Sequence, residues 1–263
     1  MERARRGPAR VRRLAAGGIL AFAAAVVAGA APAKTAPAPA NAEPELDRVV
    51  RLWAAATGGL KRLRALRSVR MSGQITFAGD SPHAMTVEIA RPGKIRTEIT
   101  FPAGAWIQVF DGRRGWTISP VAKTRAPQPM SAEQARNAPE QADIDGPLVD
   151  SAQKGIRLAL EGKEMVDGKD AWRIRVTRAD GVVRHLDLDA ATSLKIRWEG
   201  ELGEGPERKL NVSVFSDYRT VEGLSFPFRI VSGIAGGEIR QEIVFDRIEV
   251  DPAIPDSDFA PPK

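Results

Sequence analysis

The chain carries no cysteine, two histidines and one tyrosine among 263 residues. Without cysteine it can have no disulfide framework, no thiolate metal site and no thioether-linked lipid anchor. His83 and His185 are too few for a histidine-rich metal centre. Nucleophile chemistry is missing as well, because "GLSFP" around Ser225 lacks the glycine that must follow the serine of a nucleophile elbow. "GEGP" from Gly203 reads as a hairpin tip, and no glycine-rich phosphate loop occurs elsewhere. Asp143 and Asp145 in "ADIDGP" are close enough for acid/base work or calcium. The other calcium-loop positions are absent and Gly-Pro follows at once, so the pair reads as a turn. His185 and Asp187 share the outward parity of a strand and read as solvated. No catalytic constellation remains, and the expectation is a protein that is not an enzyme and needs no cofactor.

Long hydrophobic runs are scarce too. The uncharged stretch Leu14 to Ala30, "LAAGGILAFAAAVVAGA", has 17 residues and ends in the small-x-small pattern Ala28-Gly29-Ala30. It follows "MERARRGPARVRR", which holds six arginines and one glutamate. A basic head, an alanine-rich apolar middle and a small-residue end make residues 1–31 a cleavable export signal. A membrane anchor is the alternative, at the short limit for crossing a bilayer. Arg12-Arg13 leaves both the general and the twin-arginine export routes open. Without that segment, 33 of the 39 basic and 32 of the 33 acidic side chains remain, so the leader carries +5 of the net charge of +6 and the rest is nearly neutral. The basic balance is an export signal and no nucleic-acid footprint.

Residues 32–44 form a Pro/Ala-rich tether, and 45–263 are expected to be one domain. "ELDRVVRLWAAA" places Leu46, Val49, Val50 and Trp53 at helical spacing before Gly58-Gly59. After Arg67 the hydrophobic period becomes 2, with Arg96 and Glu98, Arg173 and Arg175, and Lys195 and Arg197 on the opposite, wet parity. Asp111-Gly112, Asp167-Gly168 and Asp180-Gly181 supply hairpin turns. The expectation is an α+β protein, mainly β: an unclosed antiparallel barrel of about 10–11 strands around an apolar cavity, with an N-terminal helix. Residues 119–155 break the alternation and start a helix at Ser131, which marks a helical lid or a fixed plug.

The inward parity names the cavity lining as Met71, Ile75, Val87, Ile89, Ile99, Phe101, Trp172, Ile174, Trp198, Val212, Phe226 and Phe228. Arg91 continues the parity of Val87 and Ile89. A guanidinium on an apolar face is costly unless its donors are met. A strand-end arginine can also avoid that cost by snorkelling to water.

Four segments in order, "ARPGKIRTEI", "QVFDGRRGWTISP", "FSDYRTVEGLSFPFRI" and "DSDFAPP", resemble the LolA/LolB-type outer-membrane lipoprotein-sorting superfamily from about Ser68 to Pro262. The resemblance implies a half-barrel with a lid and a periplasmic carrier of acyl chains on lipoproteins. It implies a monomer whose partners are lipid-modified proteins or free lipid, with an inner-membrane release complex and an outer-membrane acceptor. It also makes Arg91, followed by Pro92, the latch of the lid, with lid carbonyls meeting its donors only while the lid is down. Residues 119–155 and the C-terminal hairpins are longer than in the compact carriers, which keeps a second role open, that of an envelope sensor binding a protein partner.

Overall fold

The change of period near Ser68 is also the change from helix to sheet. The computed structural model describes residues 42–122, 124, 126–202 and 209–261. The export segment and most of the tether lie outside the described residues. Helix α1 (Ala42–Ala56) begins inside the expected tether and buries Val49 and Trp53 of its apolar stripe. Gly58 and Gly59 end it at φ of 112° and 92°, and α2 (Leu60–Ala65) follows. A side chain at Gly58 would place its Cβ 2.3 Å from the Gly223 carbonyl oxygen, so the turn needs glycine for space as well as for conformation.

The sheet comprises β1 (Ser68–Phe77), β2 (His83–Ala90), β3 (Lys94–Phe101), β4 (Gly104–Phe110), β5 (Gly115–Ile118) and β6 (Gln128–Pro129) before helix α3 (Ala132–Gln141). After α3 come β7 (Arg157–Val166), β8 (Lys169–Thr177), β9 (Val183–Asp189), β10 (Lys195–Leu202), β11 (Lys209–Val221), β12 (Leu224–Ile234) and β13 (Ile239–Val250). A 3-10 turn, Asp256–Phe259, ends the described chain and buries Phe259. The order across the sheet is β6-β5-β4-β3-β2-β1-β13-β12-β11-β10-β9-β8-β7, antiparallel throughout. The first and last strands pair in the middle, and β6 and β7, neighbours in sequence, form the two free edges. The barrel is therefore open along one seam, and the chain crossing it is α3 with residues 142–155.

Among the described residues there are thirteen strands where the alternation marks ten or eleven. β6 has two residues, too few to show a period. β7 is an edge strand with several positions exposed on both faces, so nothing forces polar and apolar residues to alternate along it. The Asp167-Gly168 hairpin joins it to β8 with φ of 48° and 78°, the doubly positive pair of a type I′ turn.

The core lies between the concave face of the sheet and the elements that cover it. Ile75, Ile99 and Ile174 are fully buried there, in one cluster with Val49 and Trp53 of α1 and with Ala138, Ala142, Leu148 and Val149 of the seam-crossing chain. The convex face is ionic. Arg173 and Arg197 clasp Asp187 and Glu199, and both reach Glu164. His185 sits 3.3 Å from Glu161.

Candidate functional site

A cavity of about 580 Å³ opens where α3 meets the rim of the sheet. Its apolar wall includes Ile144, Ile156, Val176 and Trp198, and its polar wall includes Arg91, Lys154, Arg178, Arg184, Glu140 and Asp143. The volume falls within the roughly 300–1,000 Å³ usual for small-molecule sites.

Helix α3 is fixed at its start by a capping box: the Ser131 hydroxyl accepts from the Gln134 amide, and the Gln134 side chain accepts from the Ser131 amide. Asn137 and Glu140, three residues apart on one face of the helix, then point at the sheet. Glu140 accepts from Arg178 Nη1 at 2.9 Å and from Arg184 Nε at 3.3 Å. The following loop folds around Lys154, whose ammonium reaches Asp143 and Asp145 at 2.6 Å each and the Gly146 carbonyl at 2.8 Å. Arg64 of α2 clasps Asp150 through two nitrogens, the shorter contact at 2.6 Å.

Arg91 lies just past the end of β2, with its side chain 37% exposed. Its Nε donates to the Leu66 carbonyl at 2.7 Å, and its Nη2 donates to the Leu63 carbonyl at 3.2 Å and to Asp145 Oδ2 at 2.5 Å. Both sequence readings of Arg91 thus have a counterpart, since it is a strand-end arginine and it also binds the seam-crossing chain. Its partner on that chain is a carboxylate instead of the expected carbonyls, and the carbonyls it does meet belong to α2 and to Leu66, which caps it. Asp145 is 3% exposed and is more than part of a turn.

Of the expected lining, Trp198 borders the cavity. Val212 does not share its face: the register sets Val212 opposite Glu199 on the convex side and Ser213 opposite Trp198. The parity counted from Leu210 was shifted by one against the inner face, where Asn211 and Ser213 are buried and Ser213 hydrogen-bonds Ser232 at 2.8 Å. The other ten residues do face inward. Ile75, Val87, Ile99, Ile174 and Phe228 are buried in the core cluster, and Met71, Ile89, Phe101, Trp172 and Phe226 are half-buried against it. Below the cavity, then, the concave face is filled by α1 and the seam-crossing chain.

Arg184, 1% exposed, was missed, although the signal that marks Arg91 marks it too: in "RHLDLD" it holds the parity of Leu186 and Leu188. Its side chain crosses Gly200 of β10, where an added Cβ would stand 2.7 Å from Arg184 Cδ. Lys195, expected on the wet parity with Arg197, lies on the inner face instead, because a register shift between the two sets it opposite Leu188. Its ammonium lies 3.8 Å over the Phe215 ring, and burial pushes its pKa down to about 8 against the pull of Glu140. Asp187 was expected to be solvated and is fully buried beneath its arginines, and burial pushes it up to about 7. His185 is half-buried, and burial with the nearby Arg173 charge holds its pKa below the ordinary value.

Burial raises Asp143 from 3.8 to about 6, with Lys154 opposing and Asp145 adding to the rise. Burial also acts on Asp145, but the hydrogen bonds from Lys154 and Arg91 outweigh it and hold that group below its ordinary value. If the loop lifts, Asp143 returns to water and to an ordinary pKa. Between pH 3.8 and about 6 the lowered loop therefore binds more protons than the lifted one, and acid favours the lowered form. Amide exchange over residues 142–155, corrected for intrinsic rates, is expected to slow several-fold from pH 7.5 to pH 5. Asp143→Asn should be slow at both values, and a variant that kept the full pH dependence would remove Asp143 as its source.

These features define an open antiparallel half-barrel with a cavity at its seam. Its fold is that of the LolA superfamily. An outer membrane lipoprotein-sorting protein domain from Vibrio parahaemolyticus superposes with a TM-score of 0.56 at 12% identity, covering 81% of this chain and 94% of that one. A LolA superfamily protein from Nitrosomonas europaea gives 0.52 at 17% identity, with 76% and 95% covered. A DUF1329 family protein from Desulfovibrio piger gives 0.57 at 12% identity, with 81% and 96% covered. No family model and no curated protein matches the chain in sequence. Among the described residues no helix is long and apolar enough to cross a membrane.

Proposed function

We propose that this chain is an exported periplasmic carrier that takes up acyl chains, foremost those of lipid-modified proteins, and carries them toward the outer membrane. The observation that carries this reading is the seam. A cavity with a wall of Ile144, Ile156, Val176 and Trp198 sits under a segment held down by polar anchors at Arg64, Arg91 and the Arg178–Arg184 pair. The outer anchors at Arg64 and Arg91 can be exchanged for water, and sequestering an acyl chain, at roughly 0.8 kcal/mol per CH2, offsets the apolar contacts that the segment gives up. The ten packed inner-face residues extend the cavity once α3 and its loop move. The protein acts as a monomer, receiving cargo from an inner-membrane release complex and passing it to an outer-membrane acceptor.

A second reading, an envelope sensor or interaction module, draws on the packing itself. Ile75, Ile99 and Ile174 are fully buried beneath α1 and the seam-crossing chain, and a scaffold needs no more room than that. Native mass spectrometry of the protein isolated from its own envelope separates the two. A carrier is expected to retain a lipid or lipoprotein adduct. Lipid-free protein in a stoichiometric complex with another protein would overturn the carrier in favour of the sensor.

A further inference from the structure

We propose that Arg178 and Arg184 form a binding site for the anionic head of an amphiphile, a carboxylate or phosphate, and that Glu140 occupies this site while α3 is down. The proposal rests on the acyl-binding reading above and assigns the polar end of its ligand. Arg178 follows β8 and Arg184 lies on β9, so two adjacent strands present two guanidinium groups to one side of the cavity. Glu140 sits between them, with Oε2 on Arg178 and Oε1 on Arg184, while Arg178 also donates to Asp180 Oδ2 at 2.8 Å and to the Arg136 carbonyl at 2.7 Å. Asn137 Oδ1 accepts from both arginines at 3.4 Å, its own amide nitrogen being committed to the Glu133 carbonyl at 3.0 Å. One side of α3 thus supplies oxygen atoms in the arrangement that a bound anion's own oxygens would take.

Arg184 is poorly matched by these partners. Its guanidinium is almost wholly removed from water, yet its hydrogen bonds among the described residues, to Glu140, Asn137 and the Val183 carbonyl, are 3.3–3.4 Å long. Charge-assisted bonds to a well-placed anion run near 2.7–2.9 Å and are often bidentate. A better-placed acceptor than the helix provides would satisfy the fork more fully. Gly200 gives the arginine stem its place on the inner face, since a Cβ there would stand 2.7 Å from Arg184 Cδ. Lys195, within the field of Glu140, adds a further basic group on the inner face. The apolar wall of Ile144, Ile156, Val176 and Trp198 lines the same cavity, so a head on the arginines leaves its tail against hydrocarbon. An entering anion and Glu140 compete for one place, which couples head binding to release of α3.

The test uses the full exported chain at pH 7.5 and displacement of a fluorescent fatty acid by palmitate, methyl palmitate and palmitoyl lysophosphatidate. Palmitate is expected to displace the probe at least tenfold more effectively than its uncharged methyl ester. Lysophosphatidate separates the head chemistries: parity with palmitate means the fork takes either anion, and a clear advantage for one names it. Glu140→Gln removes the competing charge and loosens α3, and should tighten palmitate binding about tenfold more than it tightens the ester. Arg178→Gln should erase most of the preference for the acid. Arg184→Gln should erase it too, and the first two variants carry the test if this buried position does not fold. Equal binding of acid and ester, unmoved by Glu140→Gln, would overturn the anion site and leave acyl binding standing. Failure of all three lipids to bind would overturn both readings.

Discussion

Replacing Trp53 by alanine is expected to lower the unfolding free energy by about 3–5 kcal/mol, the usual cost of deleting a buried aromatic side chain. Trp53 is 8% exposed and sits with Val49 in the cluster that covers the concave face. Its loss leaves a void against that face, because the strands are tied to their neighbours by ladders and cannot collapse inward to fill it. The melting temperature should fall by roughly 10 °C for a domain of this size. The same void gives a functional readout, since an apolar cavity of this kind admits apolar ligands. If the concave face accepts acyl chains, saturating palmitate should restore part of the lost melting temperature by binding only the folded state. A drop under about 2 °C would show that α1 does not hold the inner face. Full loss with no recovery on adding lipid would count against acyl uptake along it.

The second large effect is expected from Arg91→Leu. Leucine removes the donors that join Asp145, Leu63 and Leu66, leaving Asp145 on Lys154 alone. A charge-assisted hydrogen bond contributes about 1.5–3 kcal/mol. The 37% exposure of Arg91 reduces the net loss to the order of 1–2 kcal/mol, because water takes over part of each contact. The share carried by Asp145 favours the lowered loop, and the bonds to Leu63 and Leu66 hold α2 on the strand end. Amide exchange over residues 142–155 should therefore accelerate with only a modest fall in melting temperature. A fluorescent fatty acid should bind roughly tenfold more tightly for each 1.4 kcal/mol taken from closure. Such a variant would load and then fail to hand on its cargo. Unchanged exchange and unchanged affinity in the folded variant would reduce Arg91 to a strand-end residue capping α2.

The anchors differ in kind, and this bears on how the seam opens. Arg64–Asp150 lies toward the surface and Arg91–Asp145 is half sheltered, while Arg184 is sealed inside. Surface pairs contribute little and yield to salt, whereas a buried pair that loses one partner leaves a costly charge behind. High salt is therefore a way to loosen the outer pairs while leaving Glu140 in place. Release of α3 itself requires something that replaces Glu140 between its arginines.

The sequence alone determined the class of fold, because a period of 2 with one wet face admits only an exposed antiparallel sheet, and a sheet of more than eight strands must curl. It also determined the stripe of α1, the cap of α3 at Ser131 and the outward setting of Arg173, Arg175 and Arg197. Arg91 was legible for the same reason, as a charge on an apolar parity. What the sequence could not determine was register and filling. Val212 fell on the wrong face because the residues that set the inner parity of β11 are the polar pair Asn211 and Ser213, and hydrophobicity does not mark them. The lining was read as open, yet whether an apolar face borders a cavity or a packed core depends on what lies over it. Here that is α1 and a chain joining two edges that are far apart in the sheet. Only the tertiary structure brings Glu140 between Arg178 and Arg184 and sets Asp145 on Arg91, since these partners are 38, 44 and 54 residues apart and no local period connects them.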